Sequence, residues 1–540
     1  MLKNHMAFLE PVNISNTQVG LNVYCGIFTV LLAVLYLFDR KVRLRERIAH
    51  YGLCAFLLLS FSLNILNYIW HGFHIQNGLP NRFAFLYIAL LLCMAYDAIG
   101  HIRSYWLPEL FFAWLVPAAF VAYCYLYPDA EQEPEPWIYY ISFGLMALYF
   151  GLMLIGRLAK KMRIELYSAF ISAVLLVEVA ANAIYGISCN GGVTRSIYIA
   201  DQISYQNMMA DQKDESFFRS EVDRQRMRNV TMYAGGNALV MFNSTMLESV
   251  IRLCDSLGIE ARTNKNGYLG VTKLMNDVFG IKYLASPSKL AETMYQFTRV
   301  DEDGELALYK NDNALSLGFM VKDSIRDWDI EAGEPLLVQN SFVSWRPVWI
   351  RFMCWTVTLI WQTDRIMGSR FRKQAGISVL DTRVAGIELN TPEYTKSFSD
   401  YTDHLYVINR TNESDMADFT VTLKETQKNS TVRAEVYTCA NDAYQKVIDK
   451  LSESQLTDVQ VNGSHVTGKV DVKKAGTLLL TIPYDTGWTI QVDGKEVESY
   501  SVGKALTGVH LEKGAHTVAM RYIPQGFCGG AVLSMLSLVL

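Results

Sequence analysis

Six apolar windows in the first third of the chain constrain its fold more than any other feature. Each has roughly 18 to 20 residues, the length a helix needs to cross a hydrocarbon core about 30 Å thick. The windows are 21 to 38, 52 to 70, 83 to 100, 110 to 127, 138 to 156 and 167 to 187. The sequence therefore predicts a polytopic α-helical membrane domain of six helices over 21 to 187.

The overall composition agrees with a chain that is partly in the membrane. Hydrophobic residues make up 51% of the 540 residues and charged residues 19%, which is too apolar for a wholly soluble or a disordered protein. The formal net charge of −4 argues against nucleic acid as a partner. Residues 188 to 525 have an ordinary globular composition, so we expect a membrane half in the lipid bilayer and a water-facing half.

The charges of the loops predict how the windows are oriented. Cytoplasmic loops of membrane proteins are enriched in Lys and Arg. The loops after windows one, three and five carry ten cations. The intervening loops have only Arg82, at the edge of its window, and the loop at 128 to 137 carries four acidic residues and no cation. This pattern predicts an outside N-terminus and an extracytoplasmic region from 188 to 525 in a bacterial cell membrane. The cationic positions are Arg40, Lys41, Arg43, Arg45, Arg47, Arg103, Arg157, Lys160, Lys161 and Arg163.

The first 20 residues fit this orientation poorly. They contain charged and polar residues and no signal peptide pattern, that is, no basic segment followed by an apolar stretch and a small-residue cleavage site. We therefore expect residues 1 to 20 to be an extracytoplasmic lead-in within an N-terminally truncated chain whose earlier spans are absent.

The nine cysteines do not indicate a disulfide framework or a metal site. They are scattered singly, with no CxxC pair and no histidine at a spacing that suits zinc. We interpret them as small apolar residues, and we assign no metal ligands and no cofactor. A divalent cation stays open as a cofactor, without assignable ligands.

Two kinds of periodicity divide the water-facing region. Helical patterns over 246 to 257 and 271 to 279, each ended by a glycine, are followed by a short strand at 281 to 285. They predict an α/β domain over 188 to 330. Alternation of apolar and polar residues dominates further on, with Asp493-Gly494 as a hairpin turn, which predicts a β-sandwich domain over 380 to 525.

Two further segments stand apart from these domains. Residues 331 to 379 form an irregular or interfacial segment, in which 345 to 374 crowds four tryptophans into an apolar run. That run could be an interfacial helix or the product of a reading error in the sequence. Residues 526 to 540 are apolar but short for a crossing, so we expect a partial, truncated transmembrane helix there.

A series of short phrases resembles the bacterial YfhO-type membrane protein family. Each phrase is weak alone, but their order along nearly the whole chain is specific; 345 to 374 departs from the pattern. The phrases are Tyr24-Cys25-Gly26, His71-Gly72-Phe73, Asn77-Gly78, Pro80, Arg82-Phe83-Ala84-Phe85, Met94-Ala95-Tyr96-Asp97, Gly280-Ile281-Lys282-Tyr283-Leu284, Leu308-Tyr309-Lys310-Asn311, Gln339-Asn340, Pro483-Tyr484, Gly487-Trp488, Val492-Asp493-Gly494-Lys495, Gly514-Ala515-His516 and Tyr522-Ile523-Pro524.

The resemblance implies a GT-C-like polytopic glycosyltransferase. Such an enzyme takes a sugar from a polyprenyl-phosphate carrier on the outer face of the membrane. It adds the sugar to a cell-envelope polymer such as lipoteichoic or wall teichoic acid. The first outer loop of the GT-C fold tends to supply the catalytic acidic residue, and nothing in this chain matches that loop. We therefore expect the principal base to lie outside this chain.

The predicted outer loop from 71 to 82 offers groups for a carrier phosphate. Arg82 can donate two parallel hydrogen bonds to phosphate oxygens. Four neighbours could add polar groups around it: His71, His74, Asn77 and Asn81. The structural alternative is that Arg82 is an interfacial anchor and the loop merely a turn.

An acidic residue lies near the middle of the sixth window. A charge at that depth costs roughly 2.5 to 3.5 kcal/mol on insertion scales, so Glu178 needs a partner or a water-filled cavity. With Asn182 one helical turn later, it could line the substrate cavity and is a candidate catalytic carboxylate. The alternative is a helix-packing contact with Asn64 or Asn67 of the second window.

Asp485 and Trp488 are weaker candidates for sugar binding in the predicted β-sandwich. An indole can stack on the face of a sugar ring, but a tryptophan in a strand is more often part of the core, and we favour the core placement.

Two classes of function remain open at this point. The first is a membrane glycosyltransferase that uses a polyprenyl-phosphate-linked sugar and an envelope glycopolymer. The second is a non-catalytic protein in which the helices anchor an envelope glycan-binding or scaffolding domain. A transporter is disfavoured because the windows hold few intramembrane charges and no paired broken helices.

Overall fold

The computed structural model describes most of the chain. Its ranges are 23–74, 81–127, 135–159, 161–189, 194–212, 214–223, 227–287, 292, 295–331, 334–343 and 441–539, together with the backbone of eight strands between 357 and 437. The chain separates into two compact units, Met1–Val193 and Thr194–Leu540. The first is helical and the second is rich in β-strands.

The first unit consists of seven helices within its described residues. A short 3-10 turn, Tyr36–Phe38, continues the first helix. The helices are α1 Ile27–Leu35, α2 Leu44–Ser62, α3 Asn64–Trp70, α4 Ala84–Gly100, α5 Leu107–Leu126, α6 Pro136–Leu158 and α7 Ile164–Cys189.

These helices correspond to the six windows but not all cross as straight spans. In the described part of the chain α5, α6 and α7 are each long and apolar enough to cross a membrane. The window at 52 to 70 was wrong as a single straight span, because α2 and α3 meet at a bend of 100°. Leu63 at the bend has an extended backbone, which ends the helical hydrogen bonding of α2. Including that pair, up to four spans meet the criterion, and α1 and α4 are shorter apolar helices.

The short helix α1 lies at the centre of this unit. It packs against α4, α5 and α6, and Leu31 and Leu35 are fully buried. Lipid is as apolar as these side chains, so the hydrophobic effect does not hold α1 in place. Close packing between the helices does. The chain enters α1 through Gly26, whose φ of 97° is strained for residues other than glycine.

Charged groups join three helix ends on one side of this unit. The fully buried Asp39, just after α1, lies 2.7 Å from Nδ1 of His101, which follows α4. Arg40 donates two hydrogen bonds to Glu109 in the first turn of α5. The backbone N–H of Trp106 also donates to Glu109, at 2.8 Å. Because α1 and α4 both end here, they run in the same direction.

The second unit has seven helices and 23 strands within its described residues. Its helices are α8 Arg195–Ala210, α9 Val230–Tyr233, α10 Glu248–Ser256, α11 Lys273–Val278, α12 Pro335–Val343, α13 Asn441–Ser452 and α14 Phe527–Val539. Its strands are β1 Arg219–Val222, β2 Ala261–Arg262, β3 Lys265–Asn266, β4 Ile281–Ser286, β5 Thr298–Asp303, β6 Leu306–Lys310, β7 Gly318–Val321, β8 Val357–Thr363, β9 Ile366–Phe371, β10 Ala375–Val379, β11 Val384–Asn390, β12 Thr395–Phe398, β13 Tyr406–Ile408, β14 Ala417–Leu423, β15 Ser430–Tyr437, β16 Thr457–Asn462, β17 His465–Val472, β18 Gly476–Pro483, β19 Trp488–Val492, β20 Lys495–Val497, β21 Ser499–Val502, β22 Leu506–Leu511 and β23 Gly514–Tyr522.

Six sheets organise these strands. The first combines parallel β1–β4 pairing with two antiparallel pairs, in the order β1-β4-β6-β5. The others are antiparallel, in the orders β13-β10-β15-β8, β12-β11-β14-β9, β16-β17-β23-β19-β20, β21-β22-β18-β7 and β2-β3. The helical first unit and the β-rich second unit confirm the coarse fold. The GT-C and β-sandwich assignments stay predictions.

One strand connects the predicted α/β region to the last sheets. β7 pairs antiparallel with β18, about 160 residues later in sequence. The half-buried Arg219 of β1 also donates to the carbonyl oxygen of Thr481 in β18, at 2.7 Å. These contacts lie within one compact unit, and its division at 330 and 380 stays a prediction.

The tryptophan-rich stretch from 345 to 374 contains two strands. β8 pairs with β15, whereas β9 pairs with β14 in a different sheet. The interfacial-helix alternative was therefore wrong for 357–363 and 366–371. The β-branched and aromatic residues of β8, such as Val357 and Trp361, favour an extended backbone. Residues 344–356 lie outside the described part of the chain.

The last apolar stretch forms the helix α14. It has 13 residues, and none of them is buried. A helix of this length spans about 20 Å, less than the hydrocarbon thickness. The expected partial transmembrane helix at 526 to 540 stays a prediction; residue 540 lies outside the described residues.

Candidate functional site

The polar cluster between α3 and α4 lies at the end of the first unit opposite Asp39 and His101. α3 ends at Trp70, and α4 begins at Ala84. Asn67 donates from Nδ2 to Oδ1 of Asn81 at 2.6 Å, which ties the last turn of α3 to the residues before α4. Sequence analysis identified Asn81 but not this partner.

The ring of Phe83 forms an aromatic platform for the cluster. It stacks on Trp70 and Phe61, with ring centroids 4.8 and 5.0 Å apart. The edge of the His71 imidazole lies against the same ring at 6.1 Å. Aromatic pairs of this kind add roughly 0.5–1.5 kcal/mol each beyond their buried area, so the platform fixes the position of His71.

The hydrogen bonding of His71 defines its tautomer. Its Nδ1 lies 2.7 Å from the carbonyl oxygen of Asn67. A carbonyl oxygen only accepts, so Nδ1 carries a proton and donates. Nε2 is buried and has no hydrogen-bond partner among the described residues. In the neutral ring this atom has a free lone pair, and in the imidazolium it is an unused donor.

The other residues of the predicted loop are placed in part. Arg82 is exposed and immediately follows Asn81, whose φ of 59° turns the chain into α4. His74 Nδ1 lies 2.5 Å from the carbonyl oxygen of His71. Asn77 lies outside the described residues. The structure thus brings His71, Asn81 and Arg82 to one end of the helical unit.

Glu178 occupies the middle of α7 and is 3% exposed. One carboxylate oxygen, Oε1, accepts from the backbone N–H of Ile27 at 2.8 Å and from the Tyr24 hydroxyl at 2.5 Å. The other accepts from the Tyr149 hydroxyl in α6. The alternative contact with Asn64 or Asn67 is not among these hydrogen bonds, and Asn67 donates to Asn81.

The position of Glu178 explains why a helix can start inside the bundle. The first N–H groups of a helix lack partners within the helix, and its N-terminus has a positive partial charge. Glu178 satisfies one such N–H and places a carboxylate beside that terminus. Non-helical backbone at membrane depth is tolerated when it is buried in protein, as at the fully buried Val23.

The Glu178 cluster lies toward the same end as His71 and Arg82. α1 with its 3-10 turn has 12 residues and α4 has 17, and both end beside Asp39 and His101. At 1.5 Å per residue, the start of α1 lies about 7 Å deeper than the start of α4. Asn182, one turn beyond Glu178, is half-buried.

Asp485 and Trp488 pack within the second unit. Asp485 Oδ1 accepts from the backbone N–H of Gly487 at 2.7 Å, which closes a turn before β19. The Trp488 ring lies 4.9 Å from the Tyr522 ring and packs against a buried core cluster. These contacts match the core placement that the sequence favoured for Trp488.

No group of three or more His, Cys, Asp or Glu side chains forms a metal site within the described residues. The partners of Glu178 were missed at the sequence level. Tyr24 and Tyr149 are two of the chain's 30 tyrosines, and 154 and 29 positions separate them from Glu178. Gly26, just before α1, was the one local feature of the sequence that indicated where α1 begins.

The apolar helices of the first unit and the sheets of the second define a membrane protein with a large β-rich unit. The model of the family "Bacterial membrane protein YfhO" matches residues 2–344 and 374–534. The chain belongs to this family, as its sequence phrases predicted. The unmatched residues between 344 and 374 coincide with the stretch that departed from the pattern.

A curated relative carries the same family name. The chain is 29% identical over 79 residues to "Uncharacterized protein YfhO" of Bacillus subtilis (strain 168). The match covers 15% of this chain and 9% of that protein. Among solved structures, vicilin from Corylus avellana (hazelnut) matches 31% of this chain and 74% of its own at 9% identity, with a TM-score of 0.12.

Proposed function

We propose that this protein acts in envelope glycosylation as a membrane glycosyltransferase. The donor is a sugar on a polyprenyl-phosphate carrier, and the acceptor is an envelope polymer such as a teichoic acid. Membership of the YfhO family supports this class of function. The observation that carries the site is the presence of an exposed arginine, Arg82, and of the unpartnered Nε2 of His71 at the same end of the helical unit.

The chemistry assigns distinct roles to these residues. In the transfer, an acceptor hydroxyl oxygen bonds to the anomeric carbon, and the bond from that carbon to the carrier phosphate breaks. The hydroxyl proton goes to a base, and the phosphate departs with the bonding electrons. Arg82 binds the phosphate and neutralises its developing charge. Nε2 of His71 bonds to the phosphate when protonated or to a sugar hydroxyl when neutral.

Glu178 acts in this proposal as a positioning residue. Its two oxygens accept three hydrogen bonds, which commit the carboxylate to the start of α1 and to two tyrosine hydroxyls. It holds the start of α1 beneath the proposed site. The base is not assigned to this carboxylate.

The loop charges support a site on the outer face of the membrane. The cations between the helices concentrate at the end with Arg40 and Arg103, which the positive-inside rule assigns to the cytoplasm. The opposite end, with His71 and Arg82, then faces outward. The unit Thr194–Leu540 is extracytoplasmic in the same proposal.

The alternative is a membrane-anchored protein that binds or organises envelope glycans without catalysis. The commitment of Glu178 to structural hydrogen bonds favours it, because this removes the candidate catalytic carboxylate from the chemistry. In that case the sheets of the second unit carry the function, and Arg82 is an interfacial anchor.

Variants of Arg82 in the full-length protein distinguish the two functions. A host that lacks the gene is complemented with wild type, Arg82→Ala or Arg82→Lys, and its envelope sugars are quantified. Arg43→Ala is the matched control, since Arg43 is exposed in a loop at the opposite end. The transferase predicts loss of the sugar with alanine, partial recovery with lysine and full activity in the control. Equal sugar levels in all strains at equal expression would refute the phosphate role.

A further inference from the structure

The second unit contains an open cleft that the proposed transfer does not use. Its volume is about 290 Å³, near the lower size of small-molecule sites. Three parts of the chain form its walls. They are the end of β7 with residues 322 to 325, the end of α13 with residues 453 and 454, and the turn 473 to 475 between β17 and β18.

The floor of the cleft is apolar. Ile325 and Phe342 are buried there, at 1% and 6% exposure. Val447 and Leu451 of α13 are among the other lining residues and pack against the same core. Such a surface contacts the apolar body of a ligand.

The rim of the cleft is cationic. Four lysines line it against two carboxylates, Asp323 and Glu453: Lys322, Lys450, Lys473 and Lys474. Lys450 pairs with Glu453, and Lys473 pairs with Asp471. Lys322 and Lys474 form no ion pair within the described residues, so two positive charges are left for a ligand.

Asp323, one of the two carboxylates of the rim, already has hydrogen-bond partners within the protein. Asp323 Oδ1 accepts from the Thr477 hydroxyl at 2.8 Å and lies 2.9 Å from Nδ1 of His510. Burial raises the pKa of Asp323, but the hydrogen bonds with His510 and Thr477 lower it, and the net effect is a lowered pKa. The hydrogen bond to Asp323 raises the pKa of His510, which favours a positive charge beside the carboxylate.

We propose that this cleft binds a small phosphate ester, whose anionic group meets Lys322 and Lys474 while its apolar or carbohydrate body covers the floor. Charge complementarity argues for this occupant. The segment 344 to 356 that follows α12 carries two arginines and no acid, so the lysines would repel it. A flat anionic membrane would meet the rim but could not fill a concave floor. The assignment does not depend on the proposed transfer.

Titration calorimetry on the detergent-purified full chain tests the cleft, with phenyl phosphate as the probe. Phenol tests the contact with the apolar floor alone, and inorganic phosphate tests the contact with the lysines alone. Phenyl phosphate is expected to bind at least tenfold more tightly than either and more weakly as salt is raised. Equal binding of phenol, or no binding of phenyl phosphate, overturns the proposal.

Charge variants locate the binding. The double substitution Lys322→Gln with Lys474→Gln is expected to weaken phenyl phosphate at least tenfold. Ala475→Glu, which places an acid on the exposed turn, should do the same without removing a lysine. Lys495→Gln with Lys513→Gln is the matched control, since both lysines are exposed outside the cleft, and it should bind within twofold of wild type. An equal loss in the control overturns the site, as does binding only to vesicles with 30% phosphatidylglycerol.

Discussion

The carboxylate of Glu178, in the middle of α7, accepts a hydrogen bond of 2.8 Å from the backbone N–H of Ile27, the first residue of α1. The two residues are 151 positions apart. Through this contact one membrane helix caps another that begins inside the bundle. The hydroxyls of Tyr24 and Tyr149 complete the shell around the carboxylate.

Removal of this carboxylate is expected to destabilise the helical unit. Glu178→Ala leaves two hydroxyls and one backbone N–H without their acceptor, and each unsatisfied buried group costs roughly 1–3 kcal/mol. Glu178→Gln keeps an acceptor oxygen at the site and should be milder. Thermal unfolding of the full chain in detergent, followed by hydrogen exchange of residues 24 to 31, measures the difference.

An exposed glutamate of the same helix provides the control for Glu178. Glu165 lies in the first turn of α7 and is 69% exposed, so Glu165→Ala should unfold like wild type. A Glu178→Ala protein as stable as that control would contradict the capping role. If Glu178→Gln folded as stably as wild type but lost all envelope activity, the positioning role would also be wrong.

Substitutions at position 71 distinguish the roles of the two ring nitrogens of His71. An asparagine at 71 places its amide near the position of Nδ1, whereas a glutamine reaches the position of Nε2. The unpartnered Nε2 is the functional atom in the proposed site. We therefore expect His71→Gln to keep several-fold more envelope sugar than His71→Asn in complemented strains. Greater activity for asparagine would assign His71 to the bond with Asn67 alone.

The buried Asp277 predicts a pH dependence of stability in the second unit. Burial raises its pKa to about 6, although Tyr444 and Asn311 donate to it and oppose the rise. A raised carboxyl pKa means that the folded state binds the proton more tightly than the unfolded state. Stability from this group is therefore present at low pH and declines as pH rises from about 4 to 6. The change amounts to up to about 3 kcal/mol.

The difference between wild type and Asp277→Asn isolates this effect from other carboxyl groups. Unfolding midpoints of both full-length proteins are compared at steps from pH 4 to 8. The unfolding midpoint of the wild type should fall relative to that of the variant up to about pH 6. Above that pH the difference between the two midpoints should stay constant. A constant difference over the whole range would show that Asp277 does not titrate in this way. Tyr444→Phe removes a donor to the ionised form and should steepen the loss.

The sequence predicted those features that depend on local pattern. Apolar length located the helices, and alternation located strands such as β19 and β23, because one face of each strand is buried. It could not predict the bend at Leu63, where neither proline nor glycine marks the break. Nor could it locate β8 and β9, whose strand pairing is set by partners some 50 to 80 residues away.

The candidate site was predictable only in part for the same physical reason. The loop position and chemistry of His71 and Arg82 follow from residue type and window boundaries. The three partners of Glu178 come from two segments, the start of α1 and the helix α6, and no spacing in the sequence links them to Glu178. The lysine cleft likewise joins residues around 322, 450 and 474, which only the fold brings together.

The most direct test of the central claim is the envelope sugar composition of a host deleted for the full-length gene. It is compared with the parent strain and with the deletion strain complemented by the wild-type gene. The proposed glycosyltransferase predicts that one envelope sugar is lost on deletion and restored on complementation. If all three strains have the same envelope sugars, the transferase is contradicted and the non-catalytic anchoring function takes its place.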